Sequence, residues 1–396
     1  MENIEKELEN INMSVEDYEQ CLADISDKLD GNLDIDWEEI KDKYNIPYAS
    51  DVIRKANGTL FGGYAVKKFM DSKRPVTCSD SRIYDIRKEK QKLFDERAAL
   101  TKMKRDEARI EEDILLFRRE VAETGKLKYK PNVIKTIDGD NDMIICLSDL
   151  HIGEDVDSWG GRYNSDIAKE RLDEYLGEIL KIQDRNNSRD AYVLLLGDLI
   201  SGNIHLTVQL QNRENAVEQV VKAAELVSDF LYELSKHFEH VFVNSVSGNH
   251  SRINLKDNVL RNERLDSLVP WYCKAKLEHL NNIIFIDEFN YDSSVGSIEV
   301  RDREYIIVHG DMDTNDQAGV AKLVFMIGHI PEAVIMGHLH NNSFQNISNV
   351  KVIRSGSLCG TGDDYTMSKR ITGRPEQMVL IVDEGGIVSL HPVTFK

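Results

Sequence analysis

The spacing of apolar and polar positions changes along the chain and marks three zones. Residues 1–75 carry short amphipathic stretches broken by glycine and proline, which predict a helical module. Residues 76–130 are almost free of helix-breaking residues and predict one long helix. From residue 141 to residue 396, short apolar strands alternate with helical stretches, and the end is mostly strand. That order predicts an α/β domain with helices flanking two stacked sheets.

The first zone contains a pattern similar to a helix-turn-helix. A helix is predicted from Trp37 to Tyr44, a turn follows at Asn45 to Pro47, and Ser50 opens a second helix. One interpretation is a small module that binds DNA or a partner. An ordinary helical hairpin has the same pattern, so both interpretations remain open.

The long helix of the second zone carries an apolar seam on a charged background. Its members recur every seven residues in two series, of which the first is interrupted by Glu107: Ile86, Leu93, Leu100, Ile114 and Val121, and, offset by three residues, Met103, Ile110 and Phe117. Such a seam is typical of a coiled coil and needs a partner. We expect self-association into a homodimer through this N-terminal helical region; the alternative is packing on the chain's own α/β domain.

Five predicted strands of the third zone each end just before a side chain that can bind a metal. The strands span residues 143–147, 192–196, 241–246, 305–308 and 333–336. The polar residues that follow them are Asp149 and His151, Asp198, Asn249 and His250, His309, and His338 and His340. Strand ends of an open α/β sheet gather such groups into one crevice. We therefore predict a site for two metal ions there.

The types of side chain at these positions narrow the choice of metal ion. A set of His, Asp and Asn without a thiolate favours Mn²⁺, Fe²⁺ or Zn²⁺. We expect the D-x-H and H-x-H pairs to lie on extended backbone, where alternate residues point to one face. The glycines that flank these residues would allow tight turns.

Further elements complete the predicted domain. Helices are expected over residues 166–183, 213–237, 265–280 and 317–327, and later strands over residues 350–353, 378–382 and 387–390. The polar loop from Gly360 to Arg374 is long enough to cover the site, although a surface loop would have the same composition.

The ordered motifs D-x-H, G-D, G-N-H, H and G-H-x-H resemble the calcineurin-like metallophosphoesterase superfamily, over about residues 143–396. Within it, the chain is most similar to SbcD-like nucleases and related enzymes of bacteria and phages. The resemblance implies a four-layer α-β-β-α sandwich with a dinuclear centre. It also implies two divalent cations, with Mn²⁺ the first choice, that activate water and neutralise charge on the phosphoryl group.

The resemblance assigns a role to each motif residue. Asp149, His151 and His340 would hold one ion, Asn249, His309 and His338 the other, and Asp198 both. His250 matches the catalytic histidine, which contacts the scissile phosphate and protonates the leaving oxygen. Ser251 departs from the pattern, because many relatives have an acidic residue there that orients the histidine. Asp257 or Asp311 is a candidate replacement.

Three further residues have two interpretations each. Arg252 is expected either to contact a substrate phosphate or to form a salt bridge. His205 is expected either to line the substrate cleft or to lie on the surface. Asp311 is expected to hold His309 through the other ring nitrogen of the imidazole.

Composition limits the class of protein. The chain is 41% apolar and has no uninterrupted apolar run that could span a membrane. Its five cysteines are widely spaced and form no C-x-x-C, and its acidic N-terminus lacks a signal-peptide pattern, so we expect a cytoplasmic protein with reduced thiols. The formal charge of −19 disfavours non-specific coating of nucleic acid, although residues 82–130 are rich in Lys and Arg.

These features predict a metal-dependent phosphodiester hydrolase, with DNA as substrate and nuclease activity of the repair or processing type. Alternatives are a phosphatase or phosphodiesterase that acts on a small nucleotide or a phosphoprotein, and a DNA-binding adaptor with a vestigial phosphoesterase domain. We expect no membrane partner. The sequence does not indicate an ATPase partner.

Overall fold

The computed structural model describes residues 8, 10–55, 60–61, 63–73, 78–134, 136–253 and 263–396. It separates two units, Met1–Ala108 and Arg109–Lys396. The helices of the N-terminal region are α1 (Val15–Leu29), α2 (Trp37–Lys43), α3 (Ser50–Lys55), α4 (Gly63–Lys73) and α5 (Cys78–Lys128). The predicted helical N-terminal region is therefore confirmed.

Side-chain caps fix where the first helices begin. Ser14 accepts a hydrogen bond from the Asp17 N–H, and Asp36 forms a capping box with Glu39 at the start of α2. The helices bury a small apolar cluster that includes Cys21, Leu22, Ile25, Ile40 and Phe61. The predicted hairpin of two helices is present as α2 and α3. A DNA-binding role for it remains a prediction.

The long helix α5 exposes part of its apolar seam. Ile86 and Leu93 are 62% and 61% exposed. Toward the C-terminal end of the helix, Phe117 stacks on Trp271 with ring centroids 6.0 Å apart, and Val121 is buried. The side chains of Met103 and Ile110 lie outside the described residues. The end of the seam thus packs on its own unit, and the coiled coil remains a prediction for the rest.

The second unit contains two sheets and a short hairpin. Its strands are β1 (Asp142–Leu147), β2 (Val156–Ser158), β3 (Gly161–Tyr163), β4 (Ala191–Leu195), β5 (Val241–Ser245), β6 (Ile283–Phe285), β7 (Val295–Val300), β8 (Arg303–Val308), β9 (Ala333–Met336), β10 (Ser343–Ile347), β11 (Val350–Arg354), β12 (Glu376–Asp383) and β13 (Gly386–Thr394). Its further helices are α6 (Ser165–Asn186), α7 (Leu206–Gln211), α8 (Ala216–Leu234), α9 (Leu268–Leu277), α10 (Gln317–Ile327) and α11 (Asp364–Lys369).

Strand order brings the ligand-bearing strands together. The larger sheet has the order β13-β12-β1-β4-β5-β6, with β1, β4, β5 and β6 parallel. The smaller sheet has the order β10-β11-β9-β8-β7, with β8, β9 and β11 parallel. The five strands that precede the polar motifs are thus neighbours within their sheets: β1, β4 and β5 in one, β8 and β9 in the other.

Alternate residues of a strand enter different cores, as the two-residue period requires. Met143 and Ile145 of β1 join a cluster formed with α6, α8 and α9, whereas Ile144 and Cys146 join a cluster that contains residues of both sheets. A further cluster packs the smaller sheet against Val320 and Leu323 of α10. The predicted mixed α/β fold is confirmed. Among the described residues, no helix has the length and apolar character needed to cross a membrane.

Candidate metal centre

The predicted ligands follow the carboxyl ends of their strands, and the backbone turns sharply there. The φ angles are 51° at Asp149, 46° at His151, 50° at Asp198, 69° at His338 and 55° at His340. These values lie in the left-handed region, so the expected extended backbone at the D-x-H and H-x-H pairs is wrong. Non-glycine residues in this region cost of order 1 kcal/mol or more each. Five such residues in one crevice indicate a functional site.

The first group of ligand atoms belongs to Asp149, His151 and His340. The Nε2 atoms of the two histidines are 3.3 Å apart. Asp149 Oδ1 lies 3.3 Å from His340 Nε2 and 3.8 Å from His151 Nε2. Ligands bound at about 2.0–2.1 Å around a tetrahedral ion are separated by roughly 3.4 Å. The three atoms are therefore spaced as ligands of one ion.

The second group surrounds His309 Nε2. This nitrogen lies 3.2 Å from Asn249 Oδ1, 3.2 Å from His338 Nδ1 and 3.1 Å from Asp198 Oδ2. These four atoms come from four different strand ends. Their spacing again matches ligands of one ion.

Asp198 connects the two groups. Its carboxylate lies in one cluster with His309 and His338 and in another with His151 and His250; in each cluster the ligand atoms lie within 4.8 Å of one another. The Asp198 Oδ1 atom also accepts a hydrogen bond of 2.7 Å from the His250 N–H. A carboxylate between two ligand groups is placed where it could contact both ions of a dinuclear centre.

A backbone carbonyl orients His309. The Nδ1 atom of His309 lies 2.8 Å from the Leu196 carbonyl oxygen and donates to it, which leaves the Nε2 lone pair for a metal. The expectation that Asp311 would hold His309 is wrong. Asp311 instead forms a salt bridge of 2.8 Å with Arg252.

The carboxylates of the site are buried among histidines. Asp149 and Asp198 are 0% and 1% exposed. Among the described residues, their ion-pair partners are His151 and His340 for Asp149, and His309 for Asp198. Burial alone would raise the pKa of both carboxyls, but the histidines hold it below its usual range. Burial would lower the pKa of His309, yet Asp198 raises it to about 10. The buried carboxylates of Asp149 and Asp198 therefore need nearby positive charge to compensate their own.

The donor atoms fit divalent cations. Asp149 Oδ1 is buried and accepts no hydrogen bond from the described residues, while Asp149 Oδ2 accepts one of 2.9 Å from the His338 N–H. A buried carboxylate oxygen without a donor is costly, and a bound cation removes that cost. Carboxylate, amide and imidazole donors together suit Mn²⁺, Fe²⁺ and Zn²⁺.

His250 lies beside the first group and is oriented by a carbonyl. Its Nδ1 atom is 2.8 Å from the Ser201 carbonyl oxygen, and its ring stands edge-on to His151 with centroids 4.4 Å apart. Ser251 turns away, because its hydroxyl donates to the Gly248 carbonyl at 2.9 Å. The Ser201 carbonyl therefore orients the imidazole, as an acidic residue after His250 was expected to do. Asp257, the other candidate, lies outside the described residues.

Asp266 is a site residue that sequence reasoning missed. Its Oδ2 accepts hydrogen bonds of 2.9 Å from the N–H groups of Asp198 and Gly248, and Oδ1 accepts one of 3.2 Å from Leu199. Burial and then the Asp198 charge raise the pKa of Asp266 to about 6. The carboxylate joins two ligand loops that are far apart in sequence. No local motif distinguishes it from other acidic residues.

Gln377 of β12 was also missed. Its Oε1 accepts a hydrogen bond of 2.9 Å from the Ser148 N–H, and its Nε2 donates to the carbonyls of Ser148 at 2.9 Å and Gly356 at 3.0 Å. This fully buried amide fixes the backbone just before Asp149. Cys359 is a third site residue that sequence reasoning missed. Its Sγ lies within 4.8 Å of ring nitrogens of His151 and His340.

The two candidate substrate residues lie outside both ligand groups. His205 is exposed and directly precedes α7. Arg252 is engaged in the salt bridge with Asp311, with 10% of its side chain exposed. In the structure Arg252 is thus in a salt bridge and His205 lies at the surface. Contact of either residue with a substrate remains a prediction.

Comparison with known proteins gives distant similarities. No protein-family model matches the chain. It is 22% identical over 252 residues to YonJ, an uncharacterized SPbeta prophage-derived protein of Bacillus subtilis, and this match covers 61% of each chain. It is 29% identical over 162 residues to phosphodiesterase MJ0936 of Methanocaldococcus jannaschii, which covers 40% of this chain and 77% of that relative.

Similar solved structures are also distant. They include an archaeal phosphodiesterase, with 15% identity and a TM-score of 0.31, and Vps29 of Entamoeba histolytica in complex with zinc, with 11% identity and a TM-score of 0.32. Each match covers 64% of this chain and 99% of the other. The similarity to phosphoesterases is supported in sequence by the archaeal relative. The narrower similarity to SbcD-like nucleases remains a prediction.

Proposed function

We propose that the chain is a phosphoester hydrolase that depends on two divalent cations. The observation that carries the proposal is the pair of ligand groups that share Asp198 at the strand ends. The sequence similarity to a phosphodiesterase of Methanocaldococcus jannaschii supports the same class of reaction.

The predicted ligands would hold the cations as two groups. Asp149, His151 and His340 would hold one ion, and Asn249, His309 and His338 the other, with Asp198 in contact with both. When bound, the cation pair supplies activation of water and neutralises charge on the phosphoryl group. We expect Mn²⁺ to support activity, with Fe²⁺ and Zn²⁺ as alternatives.

His250 would handle the proton of the leaving group. Its Nδ1–H donates to the Ser201 carbonyl, so its Nε2 is the atom free to exchange a proton. As imidazolium it would give the Nε2 proton to the departing oxygen. Its backbone N–H is fixed on Asp198 Oδ1, which keeps the imidazole next to the ligand groups.

DNA is the substrate that we propose, with the chain acting as a nuclease similar to the SbcD type. The paired helices α2 and α3 and the exposed seam of α5 support it, because a nucleic-acid-binding module and a dimer suit a long substrate. We also propose a homodimer through the N-terminal helical region and a four-layer arrangement of the α/β unit. The alternation of β1 residues between two cores supports that arrangement.

A small phosphoester is the second candidate substrate. The formal charge of −19 favours it, since a negative field repels a polyanion except where basic residues or bound cations offset it. A phosphoprotein would meet the same field. A vestigial adaptor fits less well, because the close spacing of carboxylate, amide and imidazole donor atoms supports a site that still binds cations.

A substrate panel tests the proposal. Purified protein would be assayed with Mn²⁺, Mg²⁺ and Zn²⁺ on single-stranded DNA, double-stranded DNA, a chromogenic phosphodiester and a chromogenic phosphomonoester. We expect DNA cleavage that is lost in His338→Ala and kept in His329→Ala, since His329 is an exposed residue paired with Glu304. Cleavage of the chromogenic esters alone would overturn the DNA assignment. If the protein hydrolyses no substrate with any of the cations, the proposed hydrolase activity is contradicted and an adaptor role is favoured.

A further inference from the structure

Cys359 lies at the first ligand group, although sequence reasoning expected a site without a thiolate. Its Sγ and one ring nitrogen each of His151 and His340 lie within 4.8 Å of one another. The Nε2 atoms of the same two histidines are 3.3 Å apart and face Asp149 Oδ1. A sulfur atom beside these two histidines has the placement of a further ligand.

Contacts along the backbone hold Cys359 in this position. The N–H of the preceding Leu358 donates to the Asp149 carbonyl at 3.2 Å, which joins the segment to the first ligand loop. The buried guanidinium of Arg171 donates to the carbonyls of Leu358 at 2.8 Å and Cys359 at 3.0 Å. Because partners on two sides fix the backbone, the thiol stays next to the histidines.

Two buried polar atoms of the same group have no hydrogen-bond partner among the described residues. They are Asp149 Oδ1 and His340 Nδ1. The first directly faces the space between the imidazoles, as its distances of 3.3 Å and 3.8 Å to their Nε2 atoms show. A buried carboxylate oxygen that accepts no hydrogen bond from the described residues and faces two imidazole nitrogens indicates a bound cation, independently of the cysteine.

We propose that Cys359 supplies a thiolate ligand to the cation held by Asp149, His151 and His340. The inference rests on the proposed metal centre and adds a ligand to one half of it. The donor atoms that the described residues bring to the other half, with Asn249 and His309, are nitrogen and oxygen. The two positions then differ in chemistry, and the first favours thiophilic cations such as Zn²⁺ and Co²⁺ over Mg²⁺.

The thiol must lose its proton to bind as a thiolate. A coordinating cation removes such a proton outright. Binding therefore forms one sulfur–metal bond and releases one proton to solvent, with no change of oxidation state.

Cobalt spectroscopy of the whole 396-residue chain tests the assignment. The protein would be stripped of metal by a chelator and titrated with Co²⁺. We expect two bound Co²⁺ ions and a thiolate-to-cobalt charge-transfer band in the near ultraviolet. In Cys359→Ser we expect the same stoichiometry without the band, and Zn²⁺ affinity at one position lower by at least about tenfold.

Cys273→Ala is the matched control, because Cys273 is buried in the helical core away from the ligand groups and its replacement should leave the band unchanged. Two results would contradict the proposal that Cys359 is a thiolate ligand. One is a band that persists in Cys359→Ser, and the other is wild-type protein that binds two Co²⁺ ions without showing the band. Circular dichroism checks that the variant is folded. If the band is present but the protein hydrolyses no phosphoester, the proposed function is contradicted and the assignment of Cys359 as a ligand is retained. Failure of the wild type to bind Co²⁺ overturns both.

Discussion

The Asp266 carboxylate accepts a hydrogen bond of 2.9 Å from the backbone N–H of Asp198, the residue between the two ligand groups. The same oxygen accepts a second bond of 2.9 Å from the Gly248 N–H. Gly248 precedes Asn249 and His250, so one carboxylate sets the loops of Asp198, Asn249 and His250, the residues proposed as shared ligand, second ligand and catalytic histidine. Asp266 would act on the proposed metal centre through these backbone groups.

We predict that Asp266→Asn weakens metal binding while the chain still folds. An amide offers one acceptor oxygen and presents an NH₂ group to backbone donors, so at least one N–H of the loops loses its partner. The free energy of unfolding should fall by about 1–3 kcal/mol, and Mn²⁺ affinity by about 10- to 100-fold. Calorimetric titration and denaturant unfolding measure the two effects.

Asp287→Asn is the control for that variant, because Asp287 is exposed and pairs with Lys274. It should change neither quantity appreciably. Unaltered Mn²⁺ affinity in folded Asp266→Asn would show that the two hydrogen bonds do not support the centre.

The side chains of Ser148 and Asp149 lie so close to the Gly337 backbone that a larger residue at this position should disturb the site. A Cβ there would lie 1.9 Å from Ser148 Oγ and 2.7 Å from Asp149 Oδ2. Gly337→Ala should therefore displace the Asp149 carboxylate, lower the free energy of unfolding by about 1–3 kcal/mol and weaken cation binding. Gly177→Ala in α6 is the matched change, since nothing lies within 4 Å of its Cβ. Gly177→Ala should stabilise the chain by about 0.5–1 kcal/mol. Thermal unfolding that ranks the two variants in the opposite order contradicts this prediction.

Metal removal should destabilise the α/β unit. Asp149 and Asp198 are buried and rely on histidines for compensation, so a bound cation stabilises the folded state in preference to the unfolded one. At Mn²⁺ concentrations about 100 times the Kd, the gain should be about 2.7 kcal/mol per site. Differential scanning calorimetry with and without a chelator measures it.

The gain should largely vanish in Asp198→Asn and persist in Asp302→Asn, whose side chain is exposed at the β7–β8 turn. An equal shift in wild type and Asp198→Asn would mean that Mn²⁺ binds elsewhere.

Glu332 gives a pH dependence away from the metal centre. It forms salt bridges with Lys351 and with Arg303, the latter at 2.9 Å. Burial would raise the pKa of Glu332, but these two cations outweigh it and hold the pKa below the ordinary value. The resulting stability is present above about pH 4.3 and is lost as pH falls through the lowered pKa.

Glu332→Gln should therefore cost about 1 kcal/mol near pH 7, and the difference from wild type should shrink as pH falls below about 4. Denaturant unfolding across that pH range tests it. A difference that grows on acidification would contradict the assigned direction of the pKa shift.

Several strands and helices around the site could be anticipated from local patterns. The strand ending at Met336 and the helix from Gln317 to Ile327 have the predicted bounds, because each is an uninterrupted apolar or amphipathic run next to polar residues. Strands β7 and β10 were not predicted. β10 is half-exposed at a sheet edge and lacks a continuous apolar run, and β7 contains glycine and serine.

The supporting contacts could not be anticipated, since they join distant parts of the chain. Asp266 and Asp198 are 68 positions apart, and Gln377 and Ser148 are 229 apart. The left-handed backbone at the ligands has a similar origin. Hydrogen bonds between loops, such as His151 N–H to the Asp198 carbonyl at 3.0 Å, impose a conformation that local preference opposes.

The rate of phosphodiester hydrolysis as a function of Mn²⁺ tests the central claim most directly. Wild type and Asp198→Asn would be compared on a chromogenic phosphodiester, because Asp198 is the carboxylate common to both ligand groups. We expect Mn²⁺-dependent hydrolysis by wild type and a rate at least about 100-fold lower in folded Asp198→Asn. Equal rates in the two proteins, or a wild-type rate unaffected by Mn²⁺ and by chelator, would contradict a dinuclear metal-dependent hydrolase.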